Sequence, residues 1–221
     1  MRKVIGLLGV KGSGKDTCAK FLVDLQDFKR IGFADTLYQE VADAFGVTTA
    51  FLGNRDTKET PLSELSLVNC KDTKFSECVF DELHLPQAER QAALFDPQSP
   101  RFVLQLWGTE YRRRRGVDSY WLDQVDAAIQ AEPLTSFVVT DVRFMNEFSY
   151  IKSIGGSLVR IRRPTLEASE ALERAKKGSA AHPSETELLS VVTNAELMNV
   201  EGSPDSLRSG ILTFAGEYAA Q

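Results

Sequence analysis

Residues 9–17, Gly-Val-Lys-Gly-Ser-Gly-Lys-Asp-Thr, carry the residue types and spacing in this chain best suited to chemistry. Gly9, Gly12 and Gly14 can take the positive φ that side chains disfavour, so successive backbone N–H groups can turn toward one point. Lys15 adds an ammonium group at the rim of that turn. A ring of amides at the start of a helix suits a polyphosphate, with Lys15 reaching its outer phosphates. The flanks fit: an apolar run (Val4, Ile5, Leu7, Leu8) precedes the glycines, and Cys18, Phe21, Leu22 and Leu25 follow on one helical face. Strand, glycine turn and helix in that order separate a phosphate-binding loop from an incidental turn.

Position 16 departs from the common form of such loops, where serine or threonine follows the lysine. Asp16 cannot donate a hydroxyl and adds negative charge near phosphates, although it suits a helix's first turn. It reads either as a helix-dipole residue alone or as a water-mediated neighbour of a metal. Thr17 is expected to touch a phosphate and the shell of a Mg²⁺ held mainly by nucleotide oxygens and water. Gly12, Ser13, Gly14, Lys15, Asp16 and Thr17 form the expected nucleotide-phosphate set.

A phosphate-binding loop alone does not distinguish a kinase from an ATPase, a GTPase or a switch. Phosphoryl transfer needs further charges converging on donor and acceptor, and four clusters could supply them. Asp35, after Gly32-Phe33-Ala34, is expected as the N-cap of a helix starting at Thr36 and as an acceptor contact. Leu106-Trp107-Gly108-Thr109-Glu110-Tyr111 leads into Arg112, Arg113, Arg114 and Arg115, then Tyr120-Trp121. Four consecutive helical arginines point in different directions, so one or two can clamp a phosphate; Arg112 and Arg113 enter the substrate set. Trp107 reads as core and Trp121 as the ring that stacks near the acceptor base.

The third cluster, Thr140-Asp141-Val142-Arg143, follows the most apolar predicted strand. A carboxylate there is placed to order Mg²⁺, and Arg143 to hold an acceptor phosphate or balance Asp141. Asn146 and Glu147 read as first-turn helix residues, Glu147 also entering the substrate set. The fourth cluster comprises Arg160, Arg162 and Arg163, then Lys176, Lys177 and His182-Pro183-Ser184-Glu185. Strand alternation puts Arg160 and Arg162 on one side. Residues 164–185 are expected to form a cationic lid, with Arg162 as a catalytic cation and His182 as a lid hydrogen-bond donor.

Positioning these groups requires a parallel sheet. Strands are predicted at 3–8, 30–33, 136–140, 157–161 and 190–193, and helices at 15–25, 36–45, 100–113, 120–131, 145–154, 165–176 and 204–218. The alternation gives a three-layer α/β domain. Residues 47–100 interrupt it with four prolines. We expect a single domain over 1–221 with 47–100 inserted as one or two short helices over the acceptor site.

A hydrophobic fraction of 43% across 221 residues supports a packed core, and a net charge of −5 argues against general attraction to nucleic acid or membrane. The expected partners are small anionic molecules, with no stable nucleic-acid or membrane binding. The sequence leaves the oligomeric state open, a homodimer included. Lacking an apolar span or a signal pattern, the protein is expected in the cytoplasm. Cys70, Cys78 and His84 lack the spacing of a zinc site, and the three cysteines read as reduced thiols.

Taken together, the Gly9-to-Thr17 loop, Gly108-Thr109-Glu110 leading to Tyr120-Trp121, Thr140-Asp141-Val142-Arg143 with Asn146-Glu147, the 159–164 strand and His182-Pro183-Ser184-Glu185 resemble the bacteriophage-type deoxynucleoside monophosphate kinases. The Gly-Lys-Asp-Thr ending matches that family where the common loop motif fails. The resemblance implies a P-loop NTPase fold of the nucleoside-monophosphate-kinase kind with a five-stranded parallel core sheet. It further implies transfer of the ATP γ-phosphate to a deoxynucleoside 5′-monophosphate with Mg²⁺, in a bacterial or phage-infected cytoplasm. On this chain Lys15 would stabilise the migrating group, Arg143 and Arg112 or its neighbours would hold the acceptor phosphate, and adenine would lie near Thr193-Asn194 and the loop beyond. A dephospho-coenzyme A or phosphomevalonate kinase, or a nucleotide-dependent switch, remains the alternative.

Overall fold

The computed structural model describes residues 2–117, 119–177, 187–200 and 203–217. They form two compact units, one from residues 1–33 and 125–221 and the other from residues 34–124.

In the first unit five strands lie parallel in the order β2-β3-β1-β4-β5. They are β1 (Val4–Leu8), β2 (Phe28–Ile31), β3 (Ser136–Val139), β4 (Ser157–Arg162) and β5 (Ala195–Met198). β1 is central, pairing Ile5 with Val138 on one side and Leu7 with Val159 on the other. Its neighbours therefore come from the far end of the chain, as parallel pairing requires long crossovers. Alternation assigns the faces. Ile5, Leu7, Val138, Val159 and Ile161 pack with Cys18, Ala19 and Leu22 of α1 (Lys15–Gln26) and with Leu207, Ile211 and Ala215 of the C-terminal helix Pro204–Glu217. On the opposite face, a side chain at Gly6 would collide with Leu158, Val142 and Ile151, the last from helix Met145–Ser153. Helix, sheet and helix thus form the three layers, with all loops after the strand C-termini on one edge.

Two strands sit away from their expected positions. β2 covers Phe28–Ile31 rather than 30–33, because helix α2 (Phe33–Phe45) begins earlier than Thr36. The last strand is not 190–193 but Ala195–Met198. The Arg160 guanidinium takes the carbonyls of Leu188 and Val191, holding that stretch as a turn, and Val192 is left 83% exposed. Asn194 starts the strand: its N–H donates to Leu158 O, and its side-chain oxygen accepts from Leu158 N–H.

The second unit is helical. It holds most of α2, then α3 (Thr49–Gly53), two 3₁₀ turns (Ser63–Leu65 and Leu67–Asn69), α4 (Thr73–Glu82), α5 (Gln87–Ala93), α6 (Pro100–Gln105) and the start of α7 (Tyr120–Ala131). Residues 47–100 therefore contain more helix than expected. Thr48, Asp72 and Ser99 cap α3, α4 and α6 with side-chain oxygens, which the sequence spelled with ordinary capping residues. The expected helix at 100–113 is not uniform. After Gln105 it widens into a π-helix, Leu106–Arg114, with i→i+5 bonds from Arg115 N–H to Glu110 O and Val117 N–H to Arg112 O. Phe45, Phe75, Trp107 and Tyr111 pack around it as the aromatic core of this unit, edge-on except for the tilted Phe75–Trp107 pair. In the first unit, α8 is Met145–Ser153, α9 Pro164–Lys177 and α10 Pro204–Glu217. Among the described residues no helix is long and apolar enough to cross a membrane.

Candidate active site

The loop between β1 and α1 turns on glycines with φ of 140° (Gly9), 77° (Gly12) and 114° (Gly14). A Cβ at Gly9 would lie 2.3 Å from the Ile161 carbonyl, so only glycine fits there. Nearly every carbonyl in the loop is accounted for. Lys15 Nζ donates to Gly9 O and Val10 O, both at 2.8 Å. Ser13 N–H also donates to Val10 O, Arg163 Nη1 donates to Gly12 O at 3.3 Å, Asn199 Nδ2 to Ser13 O at 2.7 Å, and Cys18 N–H to Gly14 O. The carbonyls of Gly9, Val10, Gly12, Ser13 and Gly14 are thus all engaged. No side chain caps α1, whose first-turn amides have no acceptor within the helix. Asp16 is exposed in that first turn and Thr17 is half-buried beside it. Three buried polar atoms lack a hydrogen-bond partner among the described residues, Ser13 Oγ, Arg163 Nε and Asn199 Oδ1, and all three belong to side chains at this loop. Such a cradle fits a polyphosphate. Cys18 stays inert behind it, because burial pushes its thiol up to about 12.

Asp141 follows β3 on the same sheet edge. Its Oδ1 accepts from Phe33 N–H at 2.8 Å, and a Cβ at Gly32 would touch both carboxylate oxygens. The carboxylate is thus oriented by the start of α2. Arg143, two residues on, is exposed, and its guanidinium makes no ion pair among the described residues. Its backbone is pinned instead. Glu147 Oε2 accepts from the N–H groups of Arg143 and Phe144, at 2.8 and 3.1 Å. Glu147, expected at the acceptor, is 2% exposed and serves as the reach-back cap of α8. It fixes where Arg143 begins. A lone carboxylate and the Thr17 hydroxyl match the sparse oxygen set of an ion that keeps most of its waters, so the residues present fit Mg²⁺.

The basic stretch at the end of β4 divides its labour. Arg160 and Arg162 share a face, as alternation predicts, and both meet Glu196 of β5. Arg162 is further engaged by Glu167 at 2.7 Å, and that bond holds the Glu167 carboxyl below its usual range. Expected as a catalytic cation, Arg162 is neutralised by two carboxylates. Arg163 is the neighbour that reaches the glycine loop, its N–H fixed by Glu167 Oε1. Asn194, expected near the nucleotide base, is absorbed by its pairing with Leu158 at the opposite, N-terminal end of β5. Asn199, just past the C-terminal end, touches the loop instead. His182 and all of the expected lid after residue 177 lie outside the described residues.

In the second unit the centre is Glu40 of α2. Its Oε2 accepts from Trp107 Nε1 at 2.9 Å and Arg112 Nε at 2.8 Å, and its Oε1 accepts from the Tyr120 hydroxyl. The Arg112 guanidinium lies 4.8 Å from the Tyr111 ring centre, 5.1 Å from Tyr120 and 5.4 Å from Trp107. Burial is the largest single influence and opposes its charge, but the bond to Glu40, the Glu40 charge and the neighbouring Tyr120 and Tyr111 together raise its pKa. With Nε on Glu40, Arg112 has its two terminal nitrogens unengaged among the described residues, a fork suited to phosphate. Arg114 and Arg115 face Asp81 and Glu82 of α4, which sets them apart. Arg113 is half-exposed on the π-helix, and Asp35 is exposed in the first turn of α2 rather than at its cap. Trp121 does not stack openly. It is 3% exposed, and its indole N–H donates to Gly108 O at 3.0 Å. Sequence reasoning missed Glu40 and Asn199, which leave no local signal, and grouped Arg163 with the cationic cluster without assigning it to the glycine loop.

A five-stranded parallel sheet with a glycine-rich turn after its central strand, closed by a lysine at the start of α1, defines a phosphate-loop α/β domain. No family model matches the chain. It is 28% identical over 206 residues to a protein of Acanthamoeba polyphaga mimivirus named as a deoxynucleotide monophosphate kinase, covering 85% of this chain and 83% of that one. It is 32% identical over 176 residues to the deoxynucleoside-5′-monophosphate kinase of Escherichia phage T5, covering 66% of this chain and 70% of the relative. The chain belongs to the deoxynucleoside monophosphate kinase family. Among solved structures, a dephospho-CoA kinase from Campylobacter jejuni superimposes with a TM-score of 0.43 at 16% identity, covering 98% of this chain and 97% of the other, a level that carries no argument.

Proposed function

We propose that the protein transfers the γ-phosphoryl group of ATP to the 5′-phosphate of a deoxynucleoside monophosphate, giving ADP and a deoxynucleoside diphosphate. The observation that carries this reading is the glycine loop closed by Lys15, with its carbonyls engaged by side-chain and backbone donors, in a chain sharing 32% identity with the phage T5 kinase. An acceptor phosphate oxygen forms the new P–O bond as the bond from the γ-phosphorus to the β–γ bridging oxygen breaks. That nucleophile is already an anion near neutral pH, so no side chain has to remove a proton. Catalysis is then positioning and charge neutralisation. The amides of residues 12–17 hold the donor phosphates, and Lys15 exchanges the Gly9 and Val10 carbonyls for the outer phosphates. Arg143 is assigned to the acceptor phosphate, and Arg112, whose terminal nitrogens are unengaged among the described residues, is the second unit's own candidate for a phosphate. Thr17 and Asp141 would hold Mg²⁺, which when bound offsets the charge of the donor phosphates. Residues 47–100 are assigned to cover the acceptor and 164–185 to act as a lid.

Steady-state ADP release with Mg-ATP tests this, using dAMP, dGMP, dCMP and dTMP beside dephospho-coenzyme A and phosphomevalonate. Release that depends on a deoxynucleotide is expected. Equal release whatever the acceptor, or none with any deoxynucleotide, contradicts the reading.

A further inference from the structure

We infer that Asn199 is a positioning residue for donor-phosphate binding, acting through the carbonyl of Ser13. The inference rests on the reading of the glycine loop as the donor site. In a trans peptide the C=O and the following N–H point in opposite directions. The Asn199 amide, bonded at 2.7 Å to Ser13 O, therefore aims the N–H of Gly14 into the turn. Without that anchor the Ser13–Gly14 plane is the softest in the loop, because Gly14, at φ 114°, is free to let it rotate. A rotated plane would present an oxygen to the phosphates where a donor belongs.

The anchor itself is rigid. Asn199 follows β5, is 4% exposed, and its backbone N–H donates to Arg162 O at 2.7 Å. Its Nδ2 lies 2.9 Å from where a Gly14 Cβ would stand, so the loop and the amide fit each other closely. The Oδ1 of the same amide is buried without a partner among the described residues. Leaving an acceptor unpaired is costly, so an apolar side chain would suit this place better were the Nδ2 donor not needed. The contact joins positions 186 residues apart, and nothing in the loop motif announces it.

The test measures kcat and KM for both substrates, and the affinity for inorganic pyrophosphate, in Asn199→Ala and the isosteric Asn199→Asp. Loss of one hydrogen bond at a binding site predicts a rise of about tenfold in the KM for ATP and a matching loss of pyrophosphate affinity, with kcat and acceptor KM within about twofold. At pH 8 the Asp variant should be impaired at least as much as Ala, its carboxylate facing the Ser13 carbonyl, and it should partly recover as pH falls, because burial at this position favours the protonated carboxyl, which can again donate to Ser13 O. A merely structural role would not give that pH profile. Wild-type ATP KM and pyrophosphate affinity in the variants would overturn the inference, as would a parallel fall in kcat and in affinity for both substrates. Should the Ala variant fail to fold, the Asp variant decides, since it preserves volume. Wild-type protein that binds no pyrophosphate sinks the donor reading, and this inference with it. Wild-type binding retained in the Asn199 variants sinks the inference alone.

Discussion

The glycine loop of the first unit and the Glu40 cluster of the second recruit charge in opposite ways. The loop discards side chains and works with its backbone. Gly9, Gly12 and Gly14 shape it, while Lys15, Arg163 and Asn199 engage its carbonyls. Around Glu40 the side chains do everything, three aromatic rings and a carboxylate fixing one guanidinium. A backbone device tolerates few substitutions but needs only a short contiguous motif. A side-chain device spreads over positions 40, 107, 111, 112 and 120, and each position bears on both stability and binding.

That contrast orders the expected effects. Lys15→Ala should cut kcat by about 10²–10³-fold, the usual cost of one preorganised charge at the transition state, with little change in Tm. Turnover near wild type in an acceptor-dependent ADP assay would remove Lys15 from its role. Arg112→Ala should lose on two counts, since Glu40 and Tyr120 are stripped of a partly buried partner. We expect about 2 kcal/mol of lost stability in urea melts, together with a higher acceptor KM. Arg112→Lys separates the two, keeping charge but not the fork. Stability lost with acceptor KM unchanged would make the cluster purely structural.

Arg143→Ala should leave Tm alone, because the side chain is exposed, and raise acceptor KM by about tenfold or more through a lost charge-assisted contact. An equal rise in the KM for ATP would contradict that assignment. Trp121→Phe should cost about 1 kcal/mol, for the bond to Gly108 O, without altering preference among the four deoxynucleotides. Changed preference would restore Trp121 to the base site. The smallest effect concerns Glu167. Its folded pKa is depressed by Arg162, so the stability it adds is present above the ordinary glutamate range and is lost as pH falls through the folded value. Glu167→Gln should therefore flatten the acid limb of Tm against pH below about 4.5, by no more than about 2 °C for so accessible a pair. A steeper acid limb in the variant would reverse the sign.

The legible parts of this molecule share one property: their physics is local. Val4 to Thr17 spells strand, turn and helix in a single run, and Phe137-Val138-Val139 declares a strand buried on both faces. The parallel alternation followed from such segments. What escaped depends on long-range partners. Asn194 and Asn199 look alike in sequence, yet one is consumed by Leu158 and the other meets Ser13. Arg162 and Arg163 are adjacent, yet the first is tied to Glu167 and to Glu196 of the edge strand, while the second reaches the Gly12 carbonyl across the sheet edge. Trp121 looked available for stacking because no local pattern shows that the Gly108 carbonyl takes its N–H.

The first unit is assembled from two stretches of chain, residues 1–33 and 125–221. The glycine turn is therefore synthesised before either strand that flanks β1, and residues 34–124 lie between them in the chain. Such distant pairing slows folding. The Ser13 carbonyl waits longer still, for a partner 186 residues downstream, so the turn gains its Asn199 anchor only after both neighbours of β1 have been made.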